Sequence, residues 1–213
     1  MRIISGKYRG MKLLSPPDIS TRPVTDRVKE AVFSIIFRYG LPEGCKVADI
    51  FCGTGSFGLE CLSRGAETVS FVELNRKVCS RLERNIEKTG AGEQAKVFCT
   101  NAFKAGAPLP AGERKYDLVF VDPPFPMSYD ISLKSKLGRL LLLLNEQTAE
   151  GGRVLVRTHR RVTLLPEYGL LSVYDRREWS KMAETFLIME PAKPEISDAD
   201  EEQQPDNQKT DNT

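Results

Sequence analysis

Lys46-Val47-Ala48-Asp49-Ile50-Phe51-Cys52-Gly53-Thr54-Gly55-Ser56-Phe57-Gly58 is the stretch that decides the fold. Its opening reads as a buried strand, its glycines as a tight turn, and the residues from Ser56 onward as a helix. Gly53 and Gly55 permit positive φ and let the backbone come close to a ligand. The helix start would aim unpaired N–H groups at that ligand. Gly53, Gly55 and Gly58 also satisfy G-x-G-x-x-G, so a dinucleotide-dependent oxidoreductase competes. Against it, Asp49 stands just before the turn, where a carboxylate would repel a pyrophosphate and welcome a cation.

Working outward, Tyr116-Asp117-Leu118-Val119-Phe120-Val121-Asp122-Pro123-Pro124-Phe125 is a second apolar run, stopped abruptly by two prolines. Asp122 is thereby held at the carboxyl end of a strand, where open α/β sheets bind ligands. The prolines have no N–H, so the backbone offers only carbonyl acceptors. Asp122 and the Pro123 carbonyl can accept the two hydrogens of an amino group on a planar base, with Phe125 stacked on its ring. A strand followed by a proline turn with a solvated Asp is the plain alternative. A dinucleotide site would leave this motif without a task, whereas S-adenosylmethionine, a cationic nucleoside with an amino-acid end, suits both stretches. Glu73, ending the strand Thr68–Val72, is placed for the ribose hydroxyls. Asn101-Ala102, after Lys96–Cys99, is placed for the adenine. Both also read as ordinary solvated strand ends.

Taken together, Asp49…Gly53-x-Gly55, Glu73, Asn101 and Asp122-Pro123-Pro124-Phe125 resemble class I S-adenosylmethionine-dependent amino methyltransferases. Two N-terminal segments narrow the resemblance: Arg2-Ile3-Ile4-Ser5-Gly6-Lys7-Tyr8-Arg9-Gly10-Met11-Lys12-Leu13, and Arg22-Pro23-Val24-Thr25-Asp26-Arg27-Val28-Lys29-Glu30-Ala31-Val32-Phe33. With them the chain closely resembles the RsmD family over roughly residues 1–190. That resemblance implies transfer of a methyl group to the exocyclic N2 of a guanine, conventionally numbered 966, in bacterial 16S rRNA. The acceptor it implies is the small ribosomal subunit or its assembly intermediate. It implies Asp122, Pro123, Pro124 and Phe125 as catalytic, and Asp49, Cys52, Gly53, Thr54, Gly55, Glu73, Asn101 and Ala102 as the cofactor site. Arg9, Arg22, Thr25, Asp26 and Arg27 would meet the substrate, although Thr25 reads equally well as a helix N-cap.

The chain also departs from the pattern. Cys52 and Thr54 stand where relatives often have Ala and Ser. Val156-Arg157-Thr158-His159-Arg160-Arg161 is more basic than expected after that strand, and Trp179-Ser180-Lys181-Met182 replaces a Gly-rich turn. Two other readings compete: an amino methyltransferase acting on adenine N6 of DNA or a protein glutamine, and a non-catalytic RNA-binding assembly factor. Asn in place of Asp122 would be more usual for a glutamine-modifying enzyme.

Composition agrees. The chain has 213 residues, enough for one full core with small appendages. Its five cysteines lack any C-x-x-C pair and its single histidine is His159, so neither a metal site nor a histidine-dependent hydrolase is expected. Reduced thiols, no N-terminal apolar region of signal type and no long apolar run lead to the expectation of a cytoplasmic, monomeric protein without membrane contact. The formal charge is +2, but removing the seven acids and one base of residues 195–213 from totals of 29 and 31 leaves a body of about +8. Residues 1–30 carry seven bases against three acids, as nucleic-acid binding would want.

The expected architecture is α/β: a Rossmann-like class I methyltransferase fold with a mostly parallel, seven-stranded sheet covered by helices on both faces. Strands are expected near 46–50, 68–72, 95–99, 116–121, 152–157, 170–174 and 184–189, the last two an antiparallel pair. Helices are expected over 26–37, 56–64, 75–89, 101–105 and 129–149. Residues 1–40 would form a hairpin (2–4 with 8–14) and helix that contact RNA and wall the pocket. Residues 41–192 would be the methyltransferase domain, and 193–213 a disordered acidic tail.

Overall fold

A computed structural model describes residues 1–15 and 25–192. Arg22 and the acidic tail lie outside the described residues. The elements run α1 (Asp26–Phe37), β1 (Lys46–Ile50), α2 (Ser56–Ser63), β2 (Thr68–Glu73), α3 (Arg76–Thr89), β3 (Ala95–Cys99), α4 (Ala102–Ala105), β4 (Tyr116–Val121), α5 (Lys136–Gln147), β5 (Thr148–His159), β6 (Glu167–Tyr168), β7 (Leu171–Trp179) and β8 (Met182–Met189). One sheet takes the order β3-β2-β1-β4-β5-β8-β7-β6. Pairings among β1 to β5 are parallel, and β8, β7 and β6 add antiparallel strands. The expected sheet is present, with the two-residue β6 as an eighth strand. Chain order reverses between β1 and β4, so the carboxyl ends of those strands flank the crevice that such sheets use for ligands.

The pleat sorts the strand residues onto two faces. Ala48, Ile50, Val119, Val121, Val154 and Val156 meet Leu137, Leu140, Leu141 and Leu144 of α5 on one face. Val47, Leu118, Phe120, Leu155 and Phe186 meet α1 and α2 on the other, where Phe33, Phe57 and Phe120 cluster with centroids 5.0–6.1 Å apart. Alternation therefore aims Asp49, Asp122, Arg157 and Glu184 at the α1–α2 face. Arg157 and Glu184 are direct cross-strand partners, and Asp122 follows Val121, which pairs with Val156. Register alone brings these charges together.

The N-terminal expectations need correcting. The two arms do pair, through the antiparallel bridge Arg2–Lys12 and three backbone bonds: Ile3 N–H to the Met11 carbonyl (3.0 Å), Gly10 N–H to the Ile3 carbonyl (2.9 Å) and Leu13 N–H to the Met1 carbonyl (3.1 Å). The backbone donors in the turn between them are drawn elsewhere. Ile4 and Ser5 N–H donate to the Glu60 carboxylate (2.8 and 3.0 Å), and Lys7 N–H to the Ser63 carbonyl (2.7 Å). Gly6 sits so close to α2 that an added Cβ would lie 1.7 Å from the Ser63 carbonyl oxygen. Lys29, counted above among the RNA-facing bases, is buried: its Nζ donates to the Arg2 carbonyl (2.8 Å) and pairs with Glu60 (3.0 Å). The last helix begins at Lys136 rather than 129, because the Ser135 hydroxyl accepts from Gly138 N–H (2.9 Å) and caps it there.

Candidate active site

β1 ends in the glycine turn. Gly53 and Gly55 both hold positive φ, 56° and 87°. Gly58 admits no side chain, since a Cβ would stand 2.2 Å from the Phe71 ring, and this lets α2 lie directly against β2. Asp49 is buried, and one of its oxygens accepts from Gly58 N–H at 2.8 Å. Burial pushes its pKa up to about 7, with the neighbouring Asp122 and Glu73 adding to the rise, while the Gly58 bond and Arg157 work against it. Glu73 accepts from Gly53 N–H (3.2 Å) and Asn75 N–H (2.8 Å), tying the β2 end to the turn. Cys52 and Thr54 are buried within the loop. The Ser56 hydroxyl is buried at the first turn of α2 and has no hydrogen-bond partner among the described residues.

On the far side of β2, Asn101 caps α4 by accepting from Phe103 N–H (3.0 Å), and Ala102 is buried. Phe51, at φ 61°, brings its ring to 4.9 Å from that of Phe103. A non-glycine residue held in that conformation carries strain of the kind concentrated at binding sites. These two half-buried rings were not among the residues singled out from the sequence.

β4 delivers Asp122, and its surroundings are the main finding. Arg157 Nη1 donates to Asp122 Oδ2 at 2.6 Å, while Nε and Nη2 both reach Glu184 Oε1 at 2.7 Å. The guanidinium lies over the Phe57 ring, 4.8 Å from its centroid. Arg157 and Glu184 are buried, whereas the Asp122 side chain keeps 37 % of its surface open. Burial raises the Asp122 pKa above the ordinary carboxylate value and Arg157 opposes it. The same balance raises Glu184, with Asp122 an added repulsion. For Arg157, burial works against the charge, but Asp122 and Glu184 outweigh it and hold the cation more firmly than usual. The result is a carboxylate with one oxygen pinned and its outer side free.

Phe125, in the short turn after the prolines, stands edge-on to His159 with centroids 5.9 Å apart. The four strand-end groups named from the sequence all lie at the carboxyl ends of the parallel strands: Asp49 with its glycine turn at β1, Glu73 at β2, Asn101-Ala102 after β3, and Asp122 through Phe125 after β4. The N-terminal set is dispersed. Thr25 caps α1 (3.4 Å to Val28 N–H) and Asp26 pairs with Arg2 (2.8 Å), leaving Arg9 and Arg27 exposed. Arg157 and Glu184 were missed as site residues. Each is a charged residue inside an otherwise buried strand, of opposite sign to the other, and that signal was present in the sequence.

A sheet of order 3-2-1-4-5 with antiparallel closing strands, and its glycine turn at the β1 end, define the class I methyltransferase fold. The chain belongs to the family described as Conserved hypothetical protein 95, whose model matches residues 1–188. It is 34% identical over 168 residues to the Bacillus subtilis protein "Putative rRNA methyltransferase YlbH", a span of 78% of this chain and 86% of that one. It is 38% identical to the Haemophilus influenzae "Ribosomal RNA small subunit methyltransferase D", over 59% of this chain and 64% of that one. The structure "Putative methyltransferase yhhF from Escherichia coli" superposes with a TM-score of 0.73 at 30% identity, covering 89% of this chain and 98% of that one.

Proposed function

We propose that this protein transfers a methyl group from S-adenosylmethionine to the exocyclic N2 of a guanine in 16S rRNA of the small ribosomal subunit. The observation that carries the reading is Asp122, held at a strand end by Arg157 on one oxygen and open on its outer side.

The cofactor fit rests on this chain's own groups. Asp49 offers a buried carboxylate to the ammonium of the amino-acid end, and a bound cation would offset the burial that raises its pKa. The unpartnered Ser56 hydroxyl and the first-turn N–H groups of α2 suit the carboxylate of the same end. Glu73 faces the ribose, and Phe51 and Phe103 offer flat walls to the adenine, beside Asn101-Ala102. When bound, S-adenosylmethionine supplies a methyl group on a sulfonium, already a strong donor.

The protein's task is then positioning. The guanine leaves its stack and rests against Phe125. Its N2 hydrogens are accepted by Asp122 and the Pro123 carbonyl. Those bonds favour a pyramidal nitrogen whose lone pair is freed from the ring, and they stabilise the positive charge that grows there. The sulfonium would supply the methyl group to that lone pair, and the proton the nitrogen then sheds would pass to Asp122 or to water. Arg157 is a positioning residue here: it opposes the rise that desolvation imposes on the Asp122 pKa and fixes its orientation, while Glu184 fixes Arg157. Exposed Arg9 and Arg27 support an N-terminal contact to RNA, with residues 41–192 as the catalytic unit.

The test is transfer from labelled S-adenosylmethionine to small subunits lacking their modifications, with the product located by nuclease digestion and mass spectrometry. N2-methylguanosine at one site supports the reading. Cofactor binding with no transfer to rRNA sinks it and turns the search to adenine N6 of DNA and to protein glutamine.

A further inference from the structure

The two basic departures noted in the sequence, Val156–Arg161 and Trp179–Met182, are far apart along the chain but meet in space. β5 and β8 are antiparallel, so His159 pairs with Met182, and Arg160 N–H donates to the Lys181 carbonyl at 2.9 Å. His159, Arg160, Arg161, Ser180 and Lys181 line one open depression of about 470 Å³. The backbone beneath is well pinned. Arg176 Nη2 donates to the carbonyls of Arg160 (2.6 Å) and Val162 (3.2 Å), and Val162 N–H to the His159 carbonyl (2.8 Å). Ser180 holds φ 54° at the first position of the two-residue β7–β8 connection, a place that favours glycine. Arg160, Arg161 and Lys181 are exposed, and none has a salt bridge among the described residues; Arg160 Nη1 donates to the Ser180 carbonyl at 3.5 Å. Arg160 also attracts Glu178, a carboxylate already paired with Arg176.

The location gives this patch a use. His159 lies two residues beyond Arg157, about 7 Å along the strand, and Arg157 touches Asp122. Phe125, partly buried, and Tyr129, exposed, stand 5.9 and 6.2 Å from the His159 ring. Cations beside exposed aromatic rings are the pattern that grips a single nucleic-acid strand, charge to phosphate and ring to base. Three of the five side chains that line the depression are cationic and a fourth carries a hydroxyl, so it suits a phosphodiester.

We propose that Arg160, Arg161 and Lys181 form a docking rim for the RNA phosphates flanking the base that enters the Asp122 pocket. The proposal rests on the RNA methyltransferase reading above. The rim holds the strand on the side of the crevice away from the cofactor, and it adds electrostatic affinity without reading sequence.

The experiment measures methyl transfer to small ribosomal subunits lacking their modifications, with KM followed from about 50 to about 200 mM salt. Arg160→Gln/Arg161→Gln/Lys181→Gln is compared with the parent and with Arg84→Gln/Lys88→Gln/Lys115→Gln, which removes the same charge from exposed positions elsewhere. The rim variant is expected to raise KM at least tenfold and to reduce the slope of log KM against log salt by about 2, since each phosphate contact contributes about 0.7–0.9. Its S-adenosylmethionine affinity should match the parent's, which excludes a folding defect. Arg160→Lys/Arg161→Lys should keep the parental slope, because the interaction depends on charge rather than on fork geometry. A rim variant with the parent's KM and slope, or a control triple with the same loss, overturns the rim while leaving the methyltransferase reading intact. A parent protein that methylates no subunit overturns the reading beneath it instead.

Discussion

Two buried charge clusters lie on the same face of the sheet and are built to opposite ends. In the first, Glu60 is fully enclosed, and each of its oxygens accepts one backbone N–H and one cation: Ser5 and Arg64 on one, Ile4 and Lys29 on the other. In the second, Glu184 and Arg157 are equally enclosed, but the chain of contacts ends at Asp122 with a carboxylate open to the crevice. The difference teaches how to read a buried ion pair. Where every lone pair is used inside the protein, the cluster fixes the fold; where one is left over, it is kept for a ligand.

The sharpest way to break this contrast is Asp122→Ala. It should cut methyl transfer by about a thousandfold, the scale of losing a directed polar contact in a transition state, with S-adenosylmethionine affinity retained. Single-turnover transfer and equilibrium binding measure the two separately, and substantial residual transfer would remove Asp122 from the chemistry.

The closed cluster should answer in stability instead. Lys29→Met leaves Glu60 with Arg64 as its remaining cation, and unfolding free energy should fall by about 3 kcal/mol. Urea denaturation reads this, while the kcat of the folded enzyme should stay near the parental value. A large loss of kcat without a loss of stability would erase the distinction between the clusters.

Arg157→Gln probes the joint between fold and chemistry. Burial raises the Asp122 pKa and Arg157 lowers it, so removing the cation leaves burial unopposed, with Asp49 and Glu184 adding like charge. The ionised carboxylate is the form that accepts the amino hydrogens, so the acid limb of the kcat–pH profile should move to higher pH. The kcat at neutral pH should fall about tenfold to a hundredfold. An unmoved limb would reduce Arg157 to a packing role.

The smallest effect concerns the cofactor side. With Asp49 near 7 in the free protein, binding a cationic ligand draws off its proton below that pH. S-adenosylmethionine affinity should rise by up to about tenfold per pH unit as pH climbs toward 7, then level off. Asp49→Asn should bind more weakly and lose this dependence. Isothermal titration at several pH values checks both.

The cofactor half was legible because its instructions are contiguous. A strand, two glycines with positive φ and a helix occupy thirteen consecutive residues, and short-range spacing is what a sequence displays. Asp122 was legible for the same reason, since its two prolines mark the strand end. Arg157 and Glu184 each stand out as a charge in an apolar strand, but their pairing does not, because it is a register between strands separated by the whole β6–β7 excursion. The same holds for the N-terminal arms. Alternation and a glycine suggest a hairpin, but nothing within residues 1–14 reveals that Glu60 and Ser63 compete for its N–H groups. Lys29 was misplaced likewise: a basic residue on a helix reads as solvated until its carboxylate partner is known.

The grip of Glu60 on Ile4 and Ser5 also bears on the order in which the molecule can assemble. Residues 1–15 leave the ribosome before α2 does, and the carboxylate that holds Ile4 and Ser5 is synthesised more than fifty residues after them. Until α2 exists, the Ile4 and Ser5 amides lack their acceptor and Lys29 lacks the Glu60 counter-charge. The N-terminal arm is thus a late closure, sealed when α2 settles on the sheet, and exchange of the Ile4 and Ser5 amides becomes a clock for that event.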